Sequence, residues 1–188
     1  MLIIAVTGLR GAGKSLVKEV GEEFGIPSLE MSDAVLDAME RIGVKRDGEM
    51  GSVDIRDFAK MMRERFGPDV FARKTIEKLL EQGYQTVIVS GVRGMYEIET
   101  FRKHGRVVII AVVADKQLRF KRTVARNRQH DPKTYEEFIL ADEKDKGFGV
   151  DEVIENADYV IENNGTIAEA KEKVRSVLRT IVRGGSHL

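Results

Sequence analysis

Cysteine is absent from the 188 residues, which excludes thiol catalysis, thiolate metal sites and disulfide staples. No apolar run approaches the roughly 18 residues of a bilayer span. The N-terminus enters its first strand-like run with no charged, cleavable leader, so the expected location is cytoplasmic and no membrane partner is expected. Neither sign of charge is in excess: lysine plus arginine and aspartate plus glutamate number 31 each. No global basic field therefore draws nucleic acid, and any basic function must be local. Internal repeats and low-complexity tracts are missing as well. Many charges with few Asn and Gln fit a thermophilic source or simply a soluble helical surface.

What remains is enough chain for one α/β domain, expected over residues 1 to 183. The last five residues, 184 to 188, have linker composition and read as an expression scar. Residues 8 to 15, GLRGAGKS, match the phosphate-loop pattern G-x-x-x-x-G-K-[ST] at every fixed position. The loop follows the apolar run Leu2 to Val6 and precedes a segment with helical apolar spacing, giving strand, glycine loop, helix. Gly8, Gly11 and Gly13 let successive N–H groups turn inward, and the helix N-terminus adds about half a positive charge. Lys14 is positioned to reach the β- and γ-phosphates, and the Ser15 hydroxyl to ligate Mg²⁺. The loop residues Gly8, Arg10, Gly11, Ala12, Gly13, Lys14, Ser15 and Leu16 are accordingly assigned to ATP.

Strand-like and helical segments alternate through the rest of the chain. Residues 26 to 30, 85 to 90, 106 to 114 and 158 to 163 read as strands. Helical patterns cover 32 to 42 with Ser32 as N-cap, 55 to 66 capped by Asp54, and a run from Pro68 to the Gly83 stop. The stretch at about 43 to 53 reads as an exposed loop. This order predicts a mainly parallel sheet with helices on both faces.

In such sheets, ligands lie beyond the carboxyl ends of the strands. Asp33 follows the second strand, and Arg93 follows the third behind a glycine, where a guanidinium can grip a phosphate or pair with Glu97 or Glu99. Arg119, Arg122 and Arg126 share one helical face, with Arg128 just beyond. Like charges at that spacing repel, which favours a triphosphate clamp over a solvated face. The histidines, His104, His130 and His187, are too scattered for a zinc site. Asp131 reads as the cap of a helix starting near Lys133 rather than an arginine's partner.

GLRGAGKS, SGVRGMYEIETF, RFKRTVARNRQHDP and ADYVIENNGT, in that order, resemble the adenylate-kinase-like P-loop kinases over nearly the whole chain. The resemblance is strongest to dephospho-CoA kinase and an archaeal family of P-loop proteins related to it. It implies a five-stranded P-loop NTPase core, an acceptor-binding helical insert at about 32 to 70, and a lid at about 127 to 150. It implies lid-side phosphate contacts from Arg122, Arg126 and Arg128, and places the turn Asn163-Asn164-Gly165 near the adenine. The sequence departs from that pattern at Ser90, where relatives carry Asp, and at Ala141, where archaeal relatives carry Arg.

The expected function is Mg²⁺-dependent transfer of the γ-phosphoryl of ATP to a small-molecule phosphoryl acceptor: dephospho-CoA, a nucleoside monophosphate or a nucleoside. Lys14, Arg93, Arg122 and Arg126 are the candidate catalytic cations, and Asp33 positions or deprotonates the acceptor. The alternative is a P-loop ATPase acting as a nucleotide-switched regulatory or assembly factor. Oligomeric state is not legible.

Overall fold

The computed structural model describes residues 1–45, 54–128 and 131–184. Most of the expected loop at 43 to 53, His130, His187 and all but the first residue of the 184 to 188 tail lie outside the described residues.

Five strands, β1 (Leu2–Thr7), β2 (Ser28–Glu30), β3 (Thr86–Ser90), β4 (Arg106–Val113) and β5 (Tyr159–Glu162), form one parallel sheet in the order β2-β3-β1-β4-β5. The helices are α1 (Ser15–Glu23), α2 (Met31–Arg41), α3 (Ile55–Phe66), α4 (Val70–Gln82), α5 (Met95–Arg102), α6 (Lys116–Arg126), α7 (Tyr135–Gly147), α8 (Val150–Glu155) and α9 (Ile167–Gly184).

Strand periodicity sorts the core into two layers. Along β1, Ile3 and Ala5 face a cluster built with α2, α3, α4, α5 and α8. Ile4 and Val6 face the opposite cluster, which Val17 and Val20 of α1 and Val174, Leu178 and Ile181 of α9 complete. Both faces of the central strands are therefore covered, which is why their sequences run continuously apolar. The α/β reading, a five-stranded parallel sheet with helices on both faces, is what the structure shows.

Two local details differ from expectation. Helix α2 starts at Met31, and its N-cap is Glu30 rather than Ser32: the Glu30 carboxylate accepts the Asp33 N–H while Asp33 Oδ2 accepts the Glu30 N–H at 3.3 Å. Helix α7 is capped by Thr134, whose hydroxyl accepts the Glu137 N–H and whose own N–H bonds the Glu137 carboxylate. Asp131 is instead an arginine's partner, held by Arg126 through two bonds of 2.6 and 2.7 Å. A charge-assisted fork of this kind outweighs a single helix cap.

Candidate functional site

The loop from Gly8 to Ser15 leaves the carboxyl end of the central strand and turns directly into α1. Its path requires glycine where neighbours crowd it. Gly11 has φ 74°, and a Cβ there would lie 2.4 Å from the Arg119 carbonyl oxygen. Gly13 has φ 103°, and a Cβ would lie 2.3 Å from Asn163 Nδ2. Both positions combine left-handed backbone with contact on a neighbouring element, so any side chain would push the loop off its supports. The first turn of α1 carries no acidic residue, leaving the positive end of its dipole uncompensated.

Lys14 folds across the loop, its Nζ donating to the carbonyls of Gly8 at 2.6 Å and Leu9 at 3.2 Å. Burial, reinforced by the nearby Arg93 charge, pulls its pKa down from 10.5 to about 8, against the opposing pull of Asp145 and Glu30. A bound polyanion would restore the charged form.

Lys14 separates two cavities. The first, about 190 Å³, is lined by Gly8, Gly11 and five cations, Arg10, Lys14, Arg93, Arg126 and Arg128, with Asp145 the one carboxylate among its lining residues. The second, about 160 Å³, runs from Lys14 past Glu30 and Ser32 to Arg63 and Arg93, with Met31, Val35 and Ile55 on its walls. A glycine cradle, a helix N-terminus and converging cations give the first the chemistry that suits a polyphosphate. The second, partly apolar and open to the same lysine, suits a small acceptor.

Three of the arginines expected to meet an anion, Arg93, Arg119 and Arg126, already have internal ones. Arg119 is buried and donates two hydrogen bonds to the Asp142 carboxylate of α7, at 2.9 and 2.6 Å, while also donating to the Arg10 carbonyl at 3.0 Å. Asp131 holds Arg126 and also lies 3.2 Å from Arg10, and Arg93 Nη1 lies 3.2 Å from Asp145. Of the expected clamp, Arg126 and Arg128 reach the cavity beside Lys14. Arg122 turns the other way and donates to Asn163, at 2.9 Å to its carbonyl and 3.3 Å to its Oδ1.

Asn163 lies under the loop, its Nδ2 bonded to the Ala12 carbonyl at 2.8 Å. Asn164 pairs instead with Asp115, and Gly165 sits against the Glu169 carboxylate. Ser15 is exposed at the start of α1, free in position to meet an ion, whereas Leu16 is buried in the core. Asp33 is not brought to the cleft: it is engaged in the α2 cap and lines a separate cavity between α2 and α4. The acidic group that β2 delivers beside Lys14 is Glu30.

Arg63, Tyr96 and Phe148, which the sequence reading did not single out, complete the cleft wall with Glu97. Arg63 of α3 bonds the fully buried Glu97 at 3.1 Å and stacks on the rings of Phe71 and Phe148, 5.2 and 4.8 Å from their centroids. Glu97 uses its other oxygen for the Arg93 N–H at 2.8 Å, and Tyr96 donates its hydroxyl to the Phe148 carbonyl at 3.3 Å. Burial pushes the Tyr96 pKa up to about 12, so it remains a donor. Among the described residues, no three His, Asp or Glu side chains cluster as metal ligands. A cation here would depend on Ser15, phosphate oxygens and its own waters, the pattern Mg²⁺ prefers. Among the described residues, no helix is long and apolar enough to cross a membrane.

No protein-family model matches the chain. A UPF0200 protein of Staphylothermus marinus is 36% identical over 182 residues, covering 97% of this chain and 94% of its own length. Among solved structures, shikimate kinase from Acinetobacter baumannii superposes with a TM-score of 0.57 at 17% identity, covering 97% of this chain and 93% of that one. Dephospho-CoA kinase from Campylobacter jejuni gives 0.56, also at 17% identity, with 98% and 100% covered. At that identity the likeness shows the fold, that of the P-loop kinases.

Proposed function

This chain belongs to the UPF0200 family, and on its own geometry we propose that it is an ATP-dependent phosphotransferase acting on a small nucleotide-like acceptor. The observation that carries the reading is the placement of Lys14 between a five-cation cavity and a second, partly apolar one. Phosphoryl transfer asks for positioning and charge neutralisation more than for covalent chemistry by the protein. Lys14, Arg93, Arg126 and Arg128 would stabilise the charge spreading over the transferred group, and Arg10 the neighbouring phosphates. Ser15 would hold Mg²⁺, whose contribution is charge neutralisation on the phosphate oxygens.

The fold of shikimate kinase and dephospho-CoA kinase supports the same reaction class. Dephospho-CoA, nucleoside monophosphates and nucleosides are the acceptors to try. Glu30, which lines the second cavity, is better placed than Asp33, which does not, to orient an acceptor hydroxyl. The experiment is ATP consumption with each acceptor, paired with mass spectrometry of the products. Acceptor-stimulated ADP release with a product heavier by one phosphoryl group supports the kinase. ATP consumption indifferent to every acceptor would favour the second reading, a nucleotide-switched ATPase. That reading draws on the internal partners of Arg126 and Arg93, Asp131 and Asp145, which a triphosphate would displace.

A further inference from the structure

In phosphate-loop proteins, the Mg²⁺ that accompanies the nucleotide is held by the loop hydroxyl and a carboxylate from a neighbouring strand. Here the hydroxyl is that of Ser15, but β3, which flanks β1 and ends beside the loop, closes on Ser90. The described residues offer no ready-made cage of three ligands. A protein carboxylate would therefore act on a largely hydrated ion.

Among the described residues, two carboxylates lie near enough to Lys14 to act on its charge, Asp145 and Glu30. Glu30 is occupied as the N-cap of α2. Asp145 is not comparably satisfied. Its side chain is only 9% exposed, and its Oδ1, though 3.2 Å from Arg93 Nη1, makes no aligned hydrogen bond. It lines the cavity of Gly8, Gly11 and Lys14, where the other charged residues are all positive. A buried carboxylate short of donors, set in a cleft built for polyphosphate, has unused capacity for a cation.

We propose that Asp145 is the carboxylate that receives the hydrated Mg²⁺ of the bound nucleotide, releasing Arg93 from its ion pair to the phosphates. Helix α7 thereby supplies what the end of β3 lacks. The inference rests on the nucleotide half of the function proposed above and needs no transfer to an acceptor.

The test is ATP affinity of the full chain, measured in Mg²⁺ and again in EDTA. In the wild type, Mg²⁺ tightens binding. Asp145→Asn loses about 10- to 100-fold of that tightening, the usual effect of removing an outer-shell partner, while affinity in EDTA is kept or improved. Adding Ser90→Asp to Asp145→Asn restores the Mg²⁺ response by returning a carboxylate from β3. Equal affinity changes in Mg²⁺ and EDTA would overturn the proposal and leave Asp145 as Arg93's structural partner. Should Asp145→Asn not fold, Asp145→Glu keeps the charge but moves it by one methylene: a changed preference between Mg²⁺ and Ca²⁺ is expected, and an unchanged one overturns the proposal. A wild type with a full Mg²⁺ response that phosphorylates nothing retains this inference while defeating the kinase.

Discussion

The side chain of Asn163 reaches across 151 positions of sequence to donate to the carbonyl of Ala12 at 2.8 Å, tying the end of β5 to the middle of the phosphate loop. Its Oδ1 takes a bond from Arg122, so one buried amide joins the loop, the last strand and α6. The loop's shape is therefore set by an element that contributes nothing to the loop's own sequence pattern.

Asn163→Ala should leave the Ala12 carbonyl and the Arg122 guanidinium short of partners, costing about 1 to 3 kcal/mol of stability. ATP affinity should fall as well, because the loop loses its support. Urea unfolding with and without ATP separates the two effects. An affinity unchanged in a destabilised variant would confine Asn163 to a folding role.

Arg119→Met should be more damaging, by about 3 to 5 kcal/mol, since it strands the Asp142 carboxylate in a buried site. The double variant Arg119→Met with Asp142→Leu should recover most of that loss, because two apolar groups leave no charge unpaired. A double variant as unstable as the single would mean that the Arg119 bond to the Arg10 carbonyl carries the effect.

Lys14 should make nucleotide binding sensitive to alkali. Its pKa in the free protein is about 8, below the ordinary 10.5, and a triphosphate favours the protonated form. Below pH 8 both free and bound protein hold the proton, and affinity is flat. Above it the free protein loses the proton first, so binding weakens by up to about tenfold per pH unit until the bound form also titrates. Fold stability moves oppositely: between pH 8 and 10.5 the unfolded chain binds more protons, and this lysine's contribution rises. Lys14→Met should bind ATP weakly and without that alkaline limb. A wild-type affinity level from pH 7 to 9.5 would contradict the buried lysine.

The strands and the loop were legible because their signals are local: a β-branched run, three glycines, a lysine and a serine within the first fifteen residues. The arginines were legible as residues but not as partners. Their spacing called for an anion, and for Arg119 and Arg126 the anions proved to be Asp142 and Asp131, while Arg122 took Asn163; Asp142 comes from α7, whose buried face pairs Phe138 and Ala141 with two aspartates. No apolar stripe marks such a helix, so its inward face cannot be read from periodicity. Likewise Asp33 was read as a cleft residue from its position after β2, whereas the chain turns into α2 at once and spends that carboxylate on the cap.

Ala141 illustrates the difference in energetic terms. The resemblance leads one to expect Arg at this position, yet Ala141 is buried on the inward face of α7. Forcing a guanidinium into that space should cost about 1 to 3 kcal/mol from overpacking, with no increase in turnover. Thermal unfolding beside the rate with ATP checks it. A stable, faster variant would show that the side chain can reach the cleft.

Asp131 is the better lever on the clamp. Burial alone would push its carboxyl pKa up, but the bonds from Arg126, with Arg10 and the Arg128 N–H, hold it below the usual 3.8. The pairing is thus complete above that value, and its stabilisation is lost as pH falls beneath it. At neutral pH, Asp131 competes with any triphosphate for Arg126 and Arg10. Asp131→Asn keeps the size of the side chain while removing the charge, so the protein should be less stable and yet bind ATP more tightly, by a factor on the order of 10 if about one charge-assisted bond need no longer be broken. Hydrogen exchange should show the same trade. Without nucleotide, α7 should be protected in the wild type and less so in Asp131→Asn; with ATP, the two should converge. Weaker ATP binding by a folded Asp131→Asn would mean that Asp131 orients the arginines for the phosphates instead of withholding them.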